Sequence, residues 1–265
     1  MNDKGVIMIH INNKEKINNF KKESFYIITD FDRTLTSKES EPSMGIVPKY
    51  LGGECLEERT KIFEYYRPLE LDYTIRVEEK KKIMKEWANK SFTLVSKYIT
   101  QDIIDKALAD ANIHFREGAK EFLVKMHNKN VPVIIMSSGV GNIVEAFLKK
   151  EGSLFNNIKI VSNFFEFKEE KTYIDLDSIM ATLNKEYKKI PKNVRVKIEE
   201  KENALLFGDL IEDIKMANEE KLSDTITFGF LDANVEQNLE TYKSNFDVVL
   251  TDDNGFNDVI NILNI

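Results

Sequence analysis

The chain reads as an α/β protein: a doubly wound, mostly parallel, Rossmann-like sheet with a mainly helical segment inserted into it. Three observations predict this. From residue 117 onward, short apolar runs alternate with longer stretches of helical periodicity, the pattern of a parallel sheet with helices on both faces. The β-prone run Phe25-Tyr26-Ile27-Ile28-Thr29 ends abruptly in Asp30-Phe31-Asp32-Arg33-Thr34, and the carboxyl ends of strands are where open α/β sheets hold ligands. Between that strand and the next lies a polar, then strongly helical stretch. Residues 1–36 and 117–265 are therefore expected to form the core, and 37–116 a cap over the strand ends.

Each element follows from local pattern. After the first strand and a loop punctuated by Pro and Gly, 49–66 reads as a helix. Residues 77–98 form a long amphipathic helix, with Ile83, Met84, Trp87, Phe92, Leu94 and Val95 supplying its apolar faces. Thr100 has the side chain to cap a further helix through Ala111. Phe122, Leu123 and Met126 mark a helix over 116–130. The run 131–136 (Val-Pro-Val-Ile-Ile-Met) is that of a buried parallel strand. Helix 143–150, strand 158–161, a short hairpin within 162–173, helix 176–187, strand 204–207, helix 211–220, strand 225–230, helix 235–242, strand 247–250 and helix 256–263 complete the alternation.

Composition removes several classes of function. The chain has 265 residues, 42% hydrophobic and 31% charged, an ordinary globular balance. A net charge of −7 argues against general affinity for nucleic-acid polymers or membranes. No apolar run approaches the ~20 residues of a membrane span, and the charged N-terminus lacks a signal-peptide core. One cysteine, Cys55, excludes an intrachain disulfide and fits a reducing cytoplasm. A monomer or weak dimer is expected.

The chemistry concentrates at strand ends. Residues two apart in a strand face one side, so Asp30 and Asp32 emerge together, with Thr34 at the same spacing. Like charges that close repel unless a cation lies between them. The pair thus points to a hard metal, Mg²⁺, and to a carboxylate free to act as nucleophile. A strand closed by an ordinary Asx-turn would give the same residues without chemistry. The second core strand runs into Ser137-Ser138-Gly139-Val140-Gly141-Asn142, where small residues let backbone amides approach an anion at a helix start; an N-cap after a buried strand is the competing reading. Asp209, in Gly208-Asp209-Leu210-Ile211-Glu212-Asp213, stands at another strand end and can complete an oxygen shell. Asp213 could act on that metal directly or through water, or simply favour a helix's first turn. Lys185 falls on an expected helix, where lysines are usually solvated. His10, His114 and His127 have no acid or nucleophile beside them in sequence, which argues against serine-hydrolase and zinc chemistry.

Taken in order, Asp30, Asp32 and Thr34, then Ser137, Lys185, and Asp209 with Asp213, resemble the motifs of the haloacid dehalogenase-like phosphatases. The segments Tyr65-Tyr66-Arg67-Pro68-Leu69-Glu70-Leu71-Asp72 and Glu86-Trp87-Ala88-Asn89-Lys90-Ser91 are similar to the cap of the pyrimidine 5′-nucleotidase family, the cytosolic 5′-nucleotidase III group. The resemblance implies a Mg²⁺-dependent phosphoric monoester hydrolase acting on nucleoside 5′-monophosphates through an aspartyl-phosphate. In that family pattern Asp30 is the nucleophile and Asp32 the acid/base. Thr34, Ser137 and Lys185 face the phosphoryl group, beside Ser138 and Gly139. Asp30, the Asp32 main-chain carbonyl and Asp209 are the metal ligands. Glu70 contacts the base and Ser91 helps hold the nucleotide. Read without the family, Glu70 is a surface acid, Ser91 a helix-surface hydroxyl and Trp87 a cap core residue. Residues 37–46 and 167–177 depart from the eukaryotic members, and Ala88 and Asn89 are small where a larger side chain is expected. A phosphoserine phosphatase is the rival enzyme, although its usual glycine after the second aspartate is Arg33 here. A phosphoaccepting or nucleotide-binding module without catalysis is the rival of another class.

Overall fold

A computed structural model of the chain describes residues 9–72, 74–169, 171–251 and 254–265. Its elements are β1 (Ile9–Ile11), α1 (Lys14–Asn18), β2 (Phe25–Thr29), the single turn α2 (Ser43–Ile46), α3 (Gly53–Leu71), α4 (Val77–Ser96), α5 (Gln101–Asp110) and α6 (Ala119–Asn128). There follow β3 (Val133–Val140), α7 (Gly141–Lys150), β4 (Ile158–Asn163), β5 (Glu166–Lys168), β6 (Lys171–Tyr173), α8 (Lys192–Glu199) and β7 (Asn203–Gly208). Then come β8 (Thr225–Leu231), α9 (Val235–Asn245), β9 (Val248–Thr251) and α10 (Phe256–Leu263). Seven strands form one sheet in the order β1-β9-β8-β7-β2-β3-β4, and β5–β6 is a separate hairpin. Every pair in the large sheet is parallel except β1–β9.

β2 lies in the middle, and all five of its residues are buried. Its period-2 alternation divides them between two apolar layers. Phe25 and Ile27 join the cluster that includes Phe122, Phe207, Phe228 and Phe256. Tyr26 and Ile28 join Met136, Met216, Leu231 and Phe246 on the opposite face. Both faces being covered is the physical reason these strands read as unbroken apolar runs. The first cluster continues into the inserted helices through Ile46, Val47, Cys55, Phe92, Val95 and Ile104. Because β7 and β3 flank β2, the residues that follow three adjacent strands are brought to one edge: Asp30, the Ser137–Gly139 stretch and Asp209.

Several expected elements change form. Residues 176–187 do not make a helix. Asp175, just before them, accepts from Asp177 N–H in an Asx turn, short 3₁₀ turns follow at Thr182–Asn184 and Tyr187–Lys189, and the helix comes later, as α8. Asn163 explains this: its side chain binds both backbone groups of Met180, accepting from its N–H (2.7 Å) and donating to its carbonyl (2.9 Å). That pairing holds Met180 in place of helical hydrogen bonds. Residues 211–220 become the 3₁₀ turns Ile211–Met216 and Glu219–Asp224. The helix expected from residue 49 starts at Gly53, after Gly52 at φ 88°. The N-terminal edge strand β1 and helix α1 had no expectation in sequence. Thr100 does cap α5, its Oγ1 accepting from Ile103 N–H.

Candidate active site

Asp30 is the first residue beyond β2, and its N–H continues the ladder by donating to the Phe207 carbonyl of β7 (2.9 Å). The backbone therefore fixes where the carboxylate starts. That carboxylate is buried, and its Oδ1 lies 2.5 Å from Lys185 Nζ. The same ammonium lies 2.5 Å from Asp213 Oδ1. Lys185 is only 3% exposed. Its expected helix is absent, and the non-helical backbone between two 3₁₀ turns lets the side chain plunge inward instead. Asp30, Asp209 and Asp213 each offer a carboxylate oxygen, all within 4.8 Å of one another. Gly208 makes this approach possible, since a Cβ there would come 2.4 Å from the Asp213 Cβ. Asp213 also ties down its own turn, accepting from Leu210 N–H (3.1 Å).

Electrostatics in this cluster follow from burial. Desolvation pushes Asp30 up to about 7, with Asp213 and Asp32 adding to the rise and Lys185 opposing it. Burial likewise pushes Asp209 well above the carboxylate range, reinforced by Asp30 and Asp213. Burial works against the charge on Lys185, but Asp213 and Asp30 outweigh it and hold the ammonium charged. One lysine thus faces three close carboxylates. An all-oxygen, net-negative donor set of this kind suits a hard divalent cation, which would offset the repulsion.

Asp32 is held apart from that cluster. Its Oδ1 accepts from Ser43 N–H (2.7 Å) and its Oδ2 from Ser43 Oγ (2.6 Å). Burial raises this acid, and the two Ser43 donors pull it part of the way back. Between Asp32 and Thr34 the chain passes through Arg33 at φ 61°, a left-handed conformation that costs a non-glycine residue energy. Arg116 braces the turn. Its guanidinium donates to the carbonyls of Arg33 and Thr34, pairs with Asp232, and lies 4.2 Å over the Phe230 ring. Thr34 is fully buried, and its hydroxyl has no hydrogen-bond partner among the described residues.

The Ser137–Gly139 stretch is an irregularity of β3, where pairing with β4 shifts register between Met136 and Val140. Such bulges re-aim the chain beside sites. Ser137 Oγ accepts from Gly139 N–H (3.1 Å), while Asn163 Nδ2 donates to the Ser138 carbonyl (2.9 Å). Asn163 therefore joins this stretch to Met180, at the start of the segment carrying Lys185.

Above these groups lies a cavity of ≈ 550 Å³. Its sheet side includes Asp32, Ser138, Gly139 and Leu183; its helical side includes Phe63, Arg67 and Glu70 of α3 and Met84, Trp87 and Ser91 of α4. Glu70 and Ser91, unremarkable by sequence chemistry, thus share a cavity with Asp32. Glu70 is paired with Arg67 one turn earlier in α3. Trp87 lies parallel to Tyr66 at 5.8 Å while also facing the cavity, so it is more than a core residue. Three residues that build the site carried no signal of their own in sequence: Ser43, Asn163 and Arg116. Ser43 sits in the very loop that departs from the family pattern.

Comparison with known proteins gives these observations a class. The chain superposes on cytosolic 5′-nucleotidase IIIB bound to cytidine with a TM-score of 0.85 and 27% identity, covering 97% of this chain and 92% of that one. A phosphoserine phosphatase structure shares the fold alone, at TM-score 0.55 and 19% identity over 91% of this chain and 99% of that one. Fold and site define a phosphoric monoester hydrolase with the haloacid dehalogenase-like fold. The sequence model for "Pyrimidine 5′-nucleotidase (UMPH-1)" matches residues 8–265. The human 7-methylguanosine phosphate-specific 5′-nucleotidase is 31% identical over 89% of this chain and 82% of its own length. The Drosophila melanogaster protein of the same name is 30% identical over 87% of this chain and 76% of its own. The chain belongs to the pyrimidine 5′-nucleotidase family.

Proposed function

We propose that this chain hydrolyses nucleoside 5′-monophosphates with uncharged pyrimidine bases, using Mg²⁺ and an aspartyl-phosphate intermediate. The observation that carries the reading is Asp30 beside a buried Lys185, within a three-carboxylate cluster, beneath a cavity roofed by α3 and α4. In the first half-reaction an Asp30 oxygen attacks phosphorus, the P–O5′ bond breaks, and Asp32 gives its proton to the departing ribose oxygen. In the second, Asp32 takes a proton from water, which attacks phosphorus and frees phosphate and Asp30. Lys185, Ser137, Thr34 and the amides of the Ser138–Gly139 stretch orient the phosphoryl oxygens and offset their charge. Mg²⁺ would be held by Asp30 and Asp209 with the Asp32 main-chain carbonyl, Asp213 lying beside them, and when bound supplies charge neutralisation to the phosphoryl group. Phosphomonoesters are among the slowest substrates to react unaided, with accelerations up to ~10²¹, so dividing the reaction between two acids is effective.

Residues 37–116 act in this scheme as the cap that selects the nucleoside and excludes water, and 1–36 with 117–265 as the catalytic core, of which residues 1–8 lie outside the described ones. A cytoplasmic setting is supported by the single cysteine and by a Caenorhabditis elegans relative named putative cytosolic 5′-nucleotidase 3, 27% identical over 90% of this chain and 68% of its own length. Among the described residues no helix is long and apolar enough to cross a membrane. Two substrate classes compete, because the similar proteins include both a cytidine-bound structure and enzymes specific for 7-methylguanosine phosphate. The Arg67–Glu70 pair favours the first: 7-methylguanine carries a fixed positive charge, and the carboxylate that would face it already has a partner. Phosphate release from CMP, UMP, GMP, 7-methyl-GMP and phosphoserine, each with Mg²⁺ and with EDTA, tests the whole proposal. CMP and UMP should lead, EDTA should abolish release, and Asp30→Asn should be inactive on all five. A lead for phosphoserine, GMP or 7-methyl-GMP, or activity surviving Asp30→Asn, overturns it.

A further inference from the structure

We propose that Ser43 is a positioning residue for protonation of the leaving group, its backbone N–H and hydroxyl holding the Asp32 carboxyl group so that its proton is delivered to the departing ribose oxygen. The inference rests on Asp32 being the general acid, as above. Ser43 meets both oxygens of Asp32, N–H to Oδ1 at 2.7 Å and Oγ to Oδ2 at 2.6 Å. It is fully buried and opens α2, the first element after the catalytic turn. The contact therefore ties a side chain from the end of β2 to the first turn of the inserted segment.

The chemistry needs both donors. As the Asp30–phosphorus bond forms and the P–O5′ bond breaks, the bonding pair moves to O5′ and the Asp32 proton follows it. Asp32 is left as a carboxylate at the half-buried wall of the cavity, and charge-assisted bonds from two fixed donors stabilise that form as it develops. Before transfer the protonated oxygen keeps one lone pair. The amide holds Oδ1 as an acceptor, and Oδ2 can accept from the serine hydroxyl on that remaining lone pair while its own proton faces the cavity. Gly139 completes the arrangement. A Cβ at that position would lie 1.8 Å from Ser43 Oγ and 3.2 Å from Asp32 Oδ2, so only glycine leaves room for the serine to reach the acid.

Leaving-group dependence separates this role from a merely structural one. A ribose alkoxide needs the proton; the phenolate of p-nitrophenyl phosphate departs without it. The measurement is kcat/KM for CMP and for p-nitrophenyl phosphate at saturating Mg²⁺, because kcat/KM counts only steps up to leaving-group departure. A positioned general acid contributes about 10²- to 10⁴-fold, and Ser43→Ala should lose part of that, about 10- to 100-fold, on CMP. The loss on p-nitrophenyl phosphate should be about tenfold smaller or less, following the same contrast in need for a proton. Ser43→Thr, which keeps both donors, should restore CMP turnover to within about threefold of wild type. Gly139→Ala, which also disturbs the phosphoryl-facing stretch, should lose activity on both substrates but more on CMP, and the double variant should lose less than the product of the two single losses. Equal losses on the two substrates, or unchanged CMP turnover, in Ser43→Ala overturn the proposal; if that variant does not fold, Ser43→Cys, which keeps the backbone donor and replaces only the hydroxyl, decides by the same comparison. Asp32→Asn is the reference. If it shows the split and Ser43→Ala does not, only the role of Ser43 falls. If it affects both substrates equally, Asp32 is not the acid and both readings fall.

Discussion

Asp30 and Lys185 pull in opposite directions on the same proton balance. Burial holds the metal-free Asp30 up to about 7, although an ammonium lies 2.5 Å away. The consequence for stability has a definite sign. Because the folded acid keeps its proton above the pH at which the unfolded one (3.8) releases it, its contribution is fully present below that value. It is lost as the pH rises through about 7, because the unfolded chain then gives up the proton at no cost. A divalent cation among the three carboxylates removes that penalty and competes with protons for the same oxygens. The melting temperature in Mg²⁺ minus that in EDTA should therefore widen steadily from pH 5 to pH 8, each value set by calorimetry or dye fluorescence. A difference that does not change with pH would show that the cluster is not where the cation binds.

Single elements differ in how much of themselves they displayed in sequence. β2 was plain because both faces of a central parallel strand are buried, and α4 because one apolar stripe recurs at helical spacing. Asp30, Asp32 and Asp209 were legible as acids at expected strand ends, although an Asx-turn would read alike, and Asp213 was equally legible as a charge in a helix's first turn. The segment around Lys185 was misread as a helix because its backbone obeys a distant side chain, and pattern within the segment carries no trace of Asn163. For the same reason Ser43 and Arg116 were invisible: each acts on a partner far away in sequence. Asn163 is accordingly a test of element-scale design. Its amide binds Met180 twice and the carbonyls of Ser138 and Gly139 besides. Asn163→Ala strands buried backbone groups, each worth about 1–3 kcal/mol, for a combined loss of ~3 kcal/mol after relaxation. The melting temperature should drop by roughly 6–10 °C, and kcat should fall more than KM rises, because Lys185 loses its fixed approach. Asn163→Asp keeps the acceptor but not the donors and should do no better. A variant within about a degree of wild type with normal kcat would mean the clamp is idle.

Across the whole molecule, charge is sorted along the cavity. Asp32 and Glu212 line the sheet side, with the Asp30, Asp209 and Asp213 cluster at the same strand ends, while Arg59, Arg67 and Lys80 line the helical side with Glu70. The net charge of −7 therefore says little about the substrate's route in. In the proposed reaction the sheet end takes a cation and a phosphate, and the helical side, lined by three cations and one carboxylate, would face the base. That gradient suits a nucleotide whose only strong charge is its phosphate, and it disfavours a base with a fixed positive charge. Arg67 is the adjustable component, because it sits one turn from Glu70 and neutralises it. Arg67→Ala should release Glu70 and raise kcat/KM for 7-methyl-GMP relative to GMP, two substrates of nearly equal size that differ by one methyl group and one charge. Half-exposed ion pairs are worth up to ~1 kcal/mol, so the ratio should rise at most about fivefold, and less as salt screens the charges. Arg67→Lys, which keeps the charge, should leave the ratio near wild type. A ratio that stays flat in Arg67→Ala at low salt would mean that Glu70 does not face the base, and that the choice of base is made by the apolar walls of the cavity, Phe63, Met84 and Trp87.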